Sequence, residues 1–282
     1  MSEPPIAVVT GATSGIGLST ARHLVEQGWT VYAGYRKEED GERLAAMGLP
    51  RLVPLEMDVT DPDNLHTAAG RLGNELPAGK LDALVNNAGI ALAGPMEYLP
   101  VAELRRQFEV NVFGLVQITQ LLMPFLRSAR GRIVNIGSVS GILPIPLMGP
   151  YSGSKFALEA ISEAWRMELA PWGMPVVLVD PGAVKTAIWN KGRSWADSLE
   201  TDLPGAAQSR YGRMMHRLRE LTYESEKRGV PPEAVAKAVH QALTARRPHT
   251  RYFVGQVLLQ RIIARYVPSS FRHRLLRRML RE

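Results

Sequence analysis

The sequence predicts a doubly wound α/β fold: a mostly parallel sheet of about seven strands with helices on both faces. Three observations support this. Short β-rich runs alternate with longer helical patterns through the first 180 residues. Several of the runs, VVLV among them, are apolar throughout, as strands buried on both faces are. The first run ends in a glycine cluster that leads straight into a helix. Right-handed crossovers between parallel strands then place helices on both sides.

Taken in order, Ile6–Thr10 is the first strand, and Ser14–Gln27 the first helix. In that helix Ile16, Thr20, Leu24 and Gln27 recur at turn spacing, and Gly28 is a stop. Further strands are expected at Thr30–Tyr35, Arg51–Met57, Leu81–Asn86, Arg132–Ser138 and Pro175–Asp180. Helices begin between them near Glu39, Asp61, Val101 and Pro150. After Pro181 the pattern changes. Residues 188–229 mix Gly, Ser, Trp and charge, and read as a mobile segment with one or two short helices. Pro231-Pro232-Glu233 opens a helix to about Ala245, and Thr250–Gly255 is a last strand. No internal repeat and no dividing linker is visible. Residues 1–255 are therefore expected to form one domain, followed by a basic helical tail, 256–282.

Composition narrows the chemistry. The chain has 282 residues and no cysteine, which excludes disulfides, thiolate metal sites and a cysteine nucleophile. Its six histidines show no metal-site spacing, so no metal is expected. No signal peptide is read at the start, and no run approaches the roughly 18 apolar residues of a spanning helix. The expectation is a cytoplasmic protein. The formal charge is +7, but it is unevenly placed. Arg246–Glu282 holds ten arginines and one acid, leaving the other 245 residues at −2. The body is near neutral; the tail is basic.

Four clusters can carry chemistry. In Thr10-Gly11-Ala12-Thr13-Ser14-Gly15-Ile16-Gly17, glycines allow a tight turn and bring backbone N–H groups close to a pyrophosphate at a helix N-terminus. A βα turn can use a glycine for geometry alone, but three at G-x-x-x-G-x-G spacing between strand and helix favour dinucleotide binding by a Rossmann fold. The second strand ends Tyr35-Arg36-Lys37, without the acid that holds an NAD ribose 2′-hydroxyl. A guanidinium there pairs a 2′-phosphate, which favours NADP over NAD. Asn86-Asn87-Ala88-Gly89 falls at the carboxyl end of the fourth strand, where such sheets bind ligands, though a plain turn has the same composition. Tyr151 and Lys155 lie four residues apart on one helix face. A cation beside a phenol lowers its pKa toward the range useful for acid/base catalysis. Ser138, at the end of the fifth strand, has a hydroxyl placed to hold a substrate oxygen. Tyr223 and Lys227 have the same spacing, but the acids between them mark a solvated face.

Together these residues resemble a short-chain dehydrogenase/reductase of the non-extended type. The TGATSGIG turn, NNAG, Asn111, Ser138 and Tyr151-x-x-x-Lys155 occur in family order, with the family's 13-residue gap from serine to tyrosine. VYAGYRK and Met57-Asp58-Val59-Thr60-Asp61 are similar to 17β-hydroxysteroid and retinol dehydrogenases. The resemblance implies that Gly11, Ser14, Gly15, Ile16 and Gly17 line the pyrophosphate and Arg36 the 2′-phosphate. It places Asp58 and Val59 at the adenine, and Asn87, Ala88 and Gly89 at the adenosine ribose. Tyr151 and Lys155 would bind the nicotinamide ribose. Val184 and Thr186, in the segment Pro181-Gly182-Ala183-Val184-Lys185-Thr186, would meet the carboxamide. Catalysis would rest on Ser138, Tyr151 and Lys155, with Asn111 holding a water that relays protons to Lys155. A homo-oligomer is also implied.

The segments expected around the reacting carbon are apolar: Ile90–Met96, Ile142–Met148, Ile188, Trp189, Trp195 and Met214. They suit a lipophilic carbonyl or alcohol such as a steroid, retinoid or long-chain carbonyl. A non-catalytic NADP-binding regulator is the alternative, but it would have no need of both Tyr151 and Lys155. No nucleic-acid-reading motif accompanies the basic tail, so no nucleic-acid partner is expected. Leu258, Leu259, Ile262, Ile263 and Val267 alternate there with Arg261 and Arg265. That pattern fits weak contact with a membrane surface, or a terminal helix packed on the body with its arginines outward.

Overall fold

The computed structural model describes residues 3–186, 201 and 203–279. Its centre is a seven-stranded, all-parallel sheet of order β3-β2-β1-β4-β5-β6-β7. The strands are β1 Ile6–Val9, β2 Thr30–Tyr35, β3 Leu52–Glu56, β4 Ala83–Asn86, β5 Arg132–Ile136, β6 Val176–Pro181 and β7 Arg251–Val254. Successive side chains on a strand point to opposite faces, and β1 shows the result. Ala7 and Val9 pack with α1 (Gly15–Glu26) and α8 (Pro232–Thr244) on one face. Val8 joins Leu65, Leu72, Ile118 and Leu122 of α3 (Pro62–Glu75) and α5 (Gly114–Ala129) on the other. Both layers are needed because β6, VVLVDP, is buried at every position.

The remaining α-helices among the described residues are α2 (Glu38–Ala45), α4 (Val101–Phe108), α6 (Gly149–Leu169), α7 (Gly205–Lys227), α9 (Leu258–Tyr266) and α10 (Ser269–Met279). A π turn, Glu109–Phe113, joins α4 to α5. The rod Val101–Ala129 has 29 residues and is long and apolar enough by composition to cross a membrane. This corrects the expectation that no segment approaches such a length. Its apolar stripe, Leu115, Ile118, Leu122 and Leu126, is buried in the protein. Its buried Gln107, Asn111 and Thr119 are all hydrogen-bonded within the protein. The rod packs as a core helix on the sheet, beside α6.

A second correction concerns residues 188–229, expected to hold one or two short helices. Positions 187–200 and 202 lie outside the described residues. Within the rest, Gly205–Lys227 is one helix of 23 residues. Ala207, Tyr211, Met214, Met215, Leu218 and Leu221 form a helical stripe that packs on Leu99, Leu147 and Met148. Dense charge between those positions obscured the period. That charge is paired: Glu97 accepts from Arg210 at 3.1 Å and from Tyr211 at 2.8 Å, and Arg217 meets Glu220 at 2.9 Å.

The winding reverses at β1, which pairs with β2 on one side and β4 on the other. Ligands of such sheets bind in the crevice beyond the carboxyl ends of the strands at this switch point. One wall of that crevice depends on Gly114, where a Cβ would collide with the Val59 carbonyl oxygen. Gly114→Ala is expected to cost about 1–3 kcal/mol through overpacking. The melting temperature should fall by several degrees in a thermal melt; an unchanged value would show that α5 has room to move.

Candidate active site

A cavity of about 830 Å³ occupies the switch-point crevice. One end is built from the glycine turn. Gly11 (φ +62°) and Gly15 (φ +54°) take left-handed conformations that L side chains rarely adopt. A Cβ at Gly17 would collide with the Gly11 carbonyl oxygen and Asn87 Nδ2. Ser14, the N-cap of α1, is extended and makes no side-chain cap, and the first turn contains no acid. The helix therefore presents uncapped N–H groups where Ser14, Gly15 and Ile16 line the cavity.

Asn86-Asn87-Ala88-Gly89 is more than a turn. Thr10 Oγ1 accepts from the amides of Asn87 and Ala88, both at 2.9 Å. Asn87 Nδ2 donates back to the carbonyls of Thr10 (2.9 Å) and Gly11 (3.0 Å). The ends of β1 and β4 are thus clamped, with Gly11, Asn87, Ala88 and Gly89 all on the cavity wall.

Beyond β2, Arg36 and Lys37 line the cavity as the sequence suggests, and Arg43 of α2 joins them. Sequence reasoning missed Arg43, whose place one turn into α2 becomes visible only once α2 folds back over the glycine turn. It donates to the Thr13 carbonyl at 3.3 Å and pairs with Asp40 at 2.5 Å. Past that acid-free strand end, Glu39 and Asp40 in the first turn of α2 also line the cavity. Arg36 stands 3.9 Å from Asp58. Asp58 accepts from the Thr60 amide at 2.9 Å and its hydroxyl at 2.7 Å, which fixes Asp58 and Val59 on the wall.

Ser138, Tyr151 and Lys155 line the same cavity. Pro150 sits in the first turn of α6, where its missing N–H costs nothing, so Tyr151 and Lys155 follow one turn apart. The Tyr151 phenol faces the Ser138 side chain. Lys155 Nζ donates to the Ile136 carbonyl at 2.7 Å and lies 5.8 Å from the Tyr151 ring. Burial pushes the Tyr151 phenol above its ordinary range, opposed by the Ser138 side chain. The expected lowering by Lys155 is therefore not what the protein groups produce. The ammonium is itself desolvated and falls to about 8. Near neutral pH the phenol is protonated and Lys155 charged.

Behind Lys155 lies a charged group that sequence reasoning did not single out. Asp180 is fully buried, 3.0 Å from Arg251, and Arg251 also pairs with Glu159. A Cβ at Gly137 would strike the Asp180 carboxylate, so glycine is required there. Asp180 and Glu159 both raise the Lys155 pKa against the desolvation that lowers it. Burial, followed by the Glu159 charge, holds Asp180 itself well above the usual carboxylate range. The available signals were an acid inside the apolar run VVLVDP and an acid four residues after Lys155.

Asn111 is not among the cavity-lining residues. Placed by the π turn, its Oδ1 accepts from the Ile90 amide at 2.9 Å. Its Nδ2 donates to the Ile90 carbonyl and to Ser154 Oγ, both at 3.0 Å. Both side-chain donors are thus used within the protein. Through Ser154, which donates to the Tyr151 carbonyl at 2.7 Å, Asn111 ties the segment after β4 to the start of α6.

The far end is apolar. Ile90, Leu143, Ile145, Pro146 and Met148 line it as expected. Met214 does not; it packs in the cluster behind. Ile188, Trp189 and Trp195 lie outside the described residues. Pro181, Gly182, Val184 and Thr186 are on the wall, and Thr186 fits against Gly15, where a Cβ would leave only 3.1 Å. Leu218 and Leu221 of α7 and Leu259, Gln260, Ile263 and Leu276 of the tail complete the lining. The tail, read from sequence as lying apart from the chemistry, thus forms part of the cavity. Val257 anchors it in the space left by Gly182.

Comparison with known proteins agrees with this geometry. A family model described as short chain dehydrogenase matches residues 5–197. The chain is 37% identical over 267 residues to the NADPH-dependent 3-dehydrocapnine reductase of Ornithobacterium rhinotracheale, covering 93% of this chain and 92% of that protein. It is 34% identical over 273 residues to mouse (Mus musculus) estradiol 17-beta-dehydrogenase 2, covering 93% of this chain and 71% of that one. A crystal structure of a short chain dehydrogenase from Burkholderia cenocepacia, in complex with NADP, matches with a TM-score of 0.73 at 28% identity and 99% coverage of both chains. The chain belongs to the short-chain dehydrogenase/reductase family. It is an oxidoreductase acting on CH–OH groups with a nicotinamide cofactor and a small-molecule substrate.

The charges behind Lys155 give a directional test. Asp180→Asn removes a charge that holds the ammonium up, so Lys155 should lose its proton at lower pH than the native value of about 8. The alkaline fall in carbonyl-reduction rate should move to lower pH in a kcat–pH profile. A limb that stays in place would disconnect Asp180 from Lys155.

Proposed function

We propose that the protein interconverts a lipophilic carbonyl compound and its alcohol using NADP(H). The observation that carries this reading is the continuity of the cavity. It runs from an arginine-rimmed glycine turn, past Ser138, Tyr151 and Lys155, to an apolar end. The glycine cradle, which a Cβ at Gly11, Gly15 or Gly17 would strain or fill, fits a pyrophosphate at the start of α1. Arg36, Lys37 and Arg43 supply three cations for a 2′-phosphate. The NADPH dependence named for the Ornithobacterium relative and the NADP complex of the Burkholderia neighbour support the same preference. Asp58 and Val59 flank the adenine, Asn87, Ala88 and Gly89 its ribose, and Pro181, Gly182, Val184 and Thr186 the carboxamide.

The cofactor supplies or accepts the hydride when bound. Ser138 holds the substrate oxygen and stabilises the charge developing there. Tyr151, kept protonated by burial, donates its phenolic proton to that oxygen during reduction and recovers it in the reverse direction. Lys155, anchored on the Ile136 carbonyl, orients the nicotinamide ribose and supports the phenolate formed as Tyr151 gives up its proton. Asn111 positions both through Ser154 and Ile90.

The apolar end supports a bulky lipophilic substrate, in keeping with the steroid named for the mouse relative. Gln260 Oε1, buried there without a hydrogen-bond partner among the described residues, offers an acceptor for a hydroxyl or amine on such a molecule. Exposed Phe113, Phe156 and Met167 on the π turn and α6 support a homo-oligomer.

Tyr151→Phe should lower kcat by about 10²–10⁴-fold while NADPH affinity, read by fluorescence titration, stays within a few-fold. Turnover at the native rate would remove Tyr151 from the mechanism. Arg36→Ala should raise KM for NADPH by roughly tenfold or more and leave KM for NADH unchanged; an equal effect on both would refute the 2′-phosphate assignment.

A further inference from the structure

The tail has two faces with different surroundings. Facing inward, Val257 and Leu276 are buried, and Ile263 and Leu276 line the cavity. Facing outward, Leu258, Ile262 and Tyr266 recur every four residues on α9, and Phe271 and Leu275 do so on α10. All five are exposed, Leu258 at 66%, Tyr266 at 72% and Phe271 at 61%. Leu259 belongs to both settings: it lines the cavity, yet is 67% exposed. The cavity rim and the apolar surface are therefore continuous.

The charge on these helices is of one sign. Residues 258–279 contain six arginines and no acid. Arg265 stands over Tyr266 at 5.9 Å, and Arg274 over Phe271 at 5.6 Å, so cation and aromatic ring share one surface. An apolar stripe flanked by arginines is suited to an interface where acyl chains and anionic headgroups lie within a few ångströms of each other. A second copy of the chain fits poorly. A twofold contact pairs the patch with itself, bringing arginines against arginines with no acid on these helices to answer them. A nucleic acid would answer the charge but leave the leucines in water.

We propose that α9 and α10 dock the enzyme on an anionic phospholipid bilayer and set the mouth of the cavity against the lipid. The docking stands on the tail alone. Its consequence, that lipophilic substrate enters from the bilayer, rests on the function proposed above.

Vesicle flotation of the full chain tests the docking, using phosphatidylcholine alone or mixed with phosphatidylglycerol. The native protein should float with the anionic vesicles, remain behind with the neutral ones, and detach as salt rises. Arg272→Glu/Arg274→Glu and Leu258→Ser/Ile262→Ser should each lower anionic-vesicle binding by about tenfold or more. Neither pair includes a cavity-lining residue, so NADPH affinity and turnover of a short, water-soluble ketone should remain native in both. Retention of those readouts shows that the variants are folded. Binding independent of lipid charge and of salt would overturn the proposal, even if a variant failed to fold. So would dimerisation abolished by Leu258→Ser/Ile262→Ser without vesicle binding by the native chain. Absence of turnover with every ketone would count against the proposed function and leave the flotation result standing.

Discussion

The distance between the ends of β1 and β4 governs the rest of the site. Four hydrogen bonds cross that gap, from Asn87 and Ala88 to Thr10 and Gly11, and Gly11 and Gly17 let the backbones come close enough to make them. An added carbon at Gly17 would push α1 away from the clamp, and the uncapped helix start would no longer face the crevice. The clamp also places Gly89 and Ile90, from which Asn111 reaches Ser154 and the first turn of α6. Cofactor cradle and acid/base pair are thus held by one chain of contacts. Backbone geometry sets it, and side chains lock it.

A second constraint is electrostatic. Lys155 is buried, and burial works against its charge. The carboxylates of Asp180 and Glu159 work against that, and Arg251 in turn keeps the two acids from repelling each other without compensation. Gly137 makes room for one of them. Arg251 is the first residue of β7, so the last strand, besides closing the sheet, contributes to the state of a lysine on α6.

Much of this was legible in the sequence. Every strand falls within two residues of its expected bounds, and for β1, β2, β4, β5 and β6 the reason is burial on both faces, which leaves apolar runs few alternatives. The glycine turn, NNAG, Ser138 and the Tyr151–Lys155 pair lie on contiguous stretches with fixed local spacing, and the structure brings them to one cavity. What was hidden depends on contacts between distant segments. Arg43 matters because α2 folds over Thr13, and Asp180 because Arg251 arrives 71 positions later in the chain. The stripe on α7 was masked by its own arginines and glutamates. The direction of the Tyr151 shift was misjudged for a related reason: spacing reveals a neighbouring cation, but not the burial that outweighs it. The tail's charge was plain, whereas its contact with the cavity required the fold.

The central claim is that one cavity accepts a 2′-phosphorylated dinucleotide at its arginine rim and a lipophilic molecule at its apolar end. The most direct measurement is the steady-state rate of the purified enzyme, followed by NADPH or NADH absorbance, on a steroid ketone, a long-chain ketone and a small polar ketone. The account predicts that kcat/KM is highest for NADPH with one of the lipophilic ketones. Preference for NADH, with the small polar ketone turned over fastest, would contradict it.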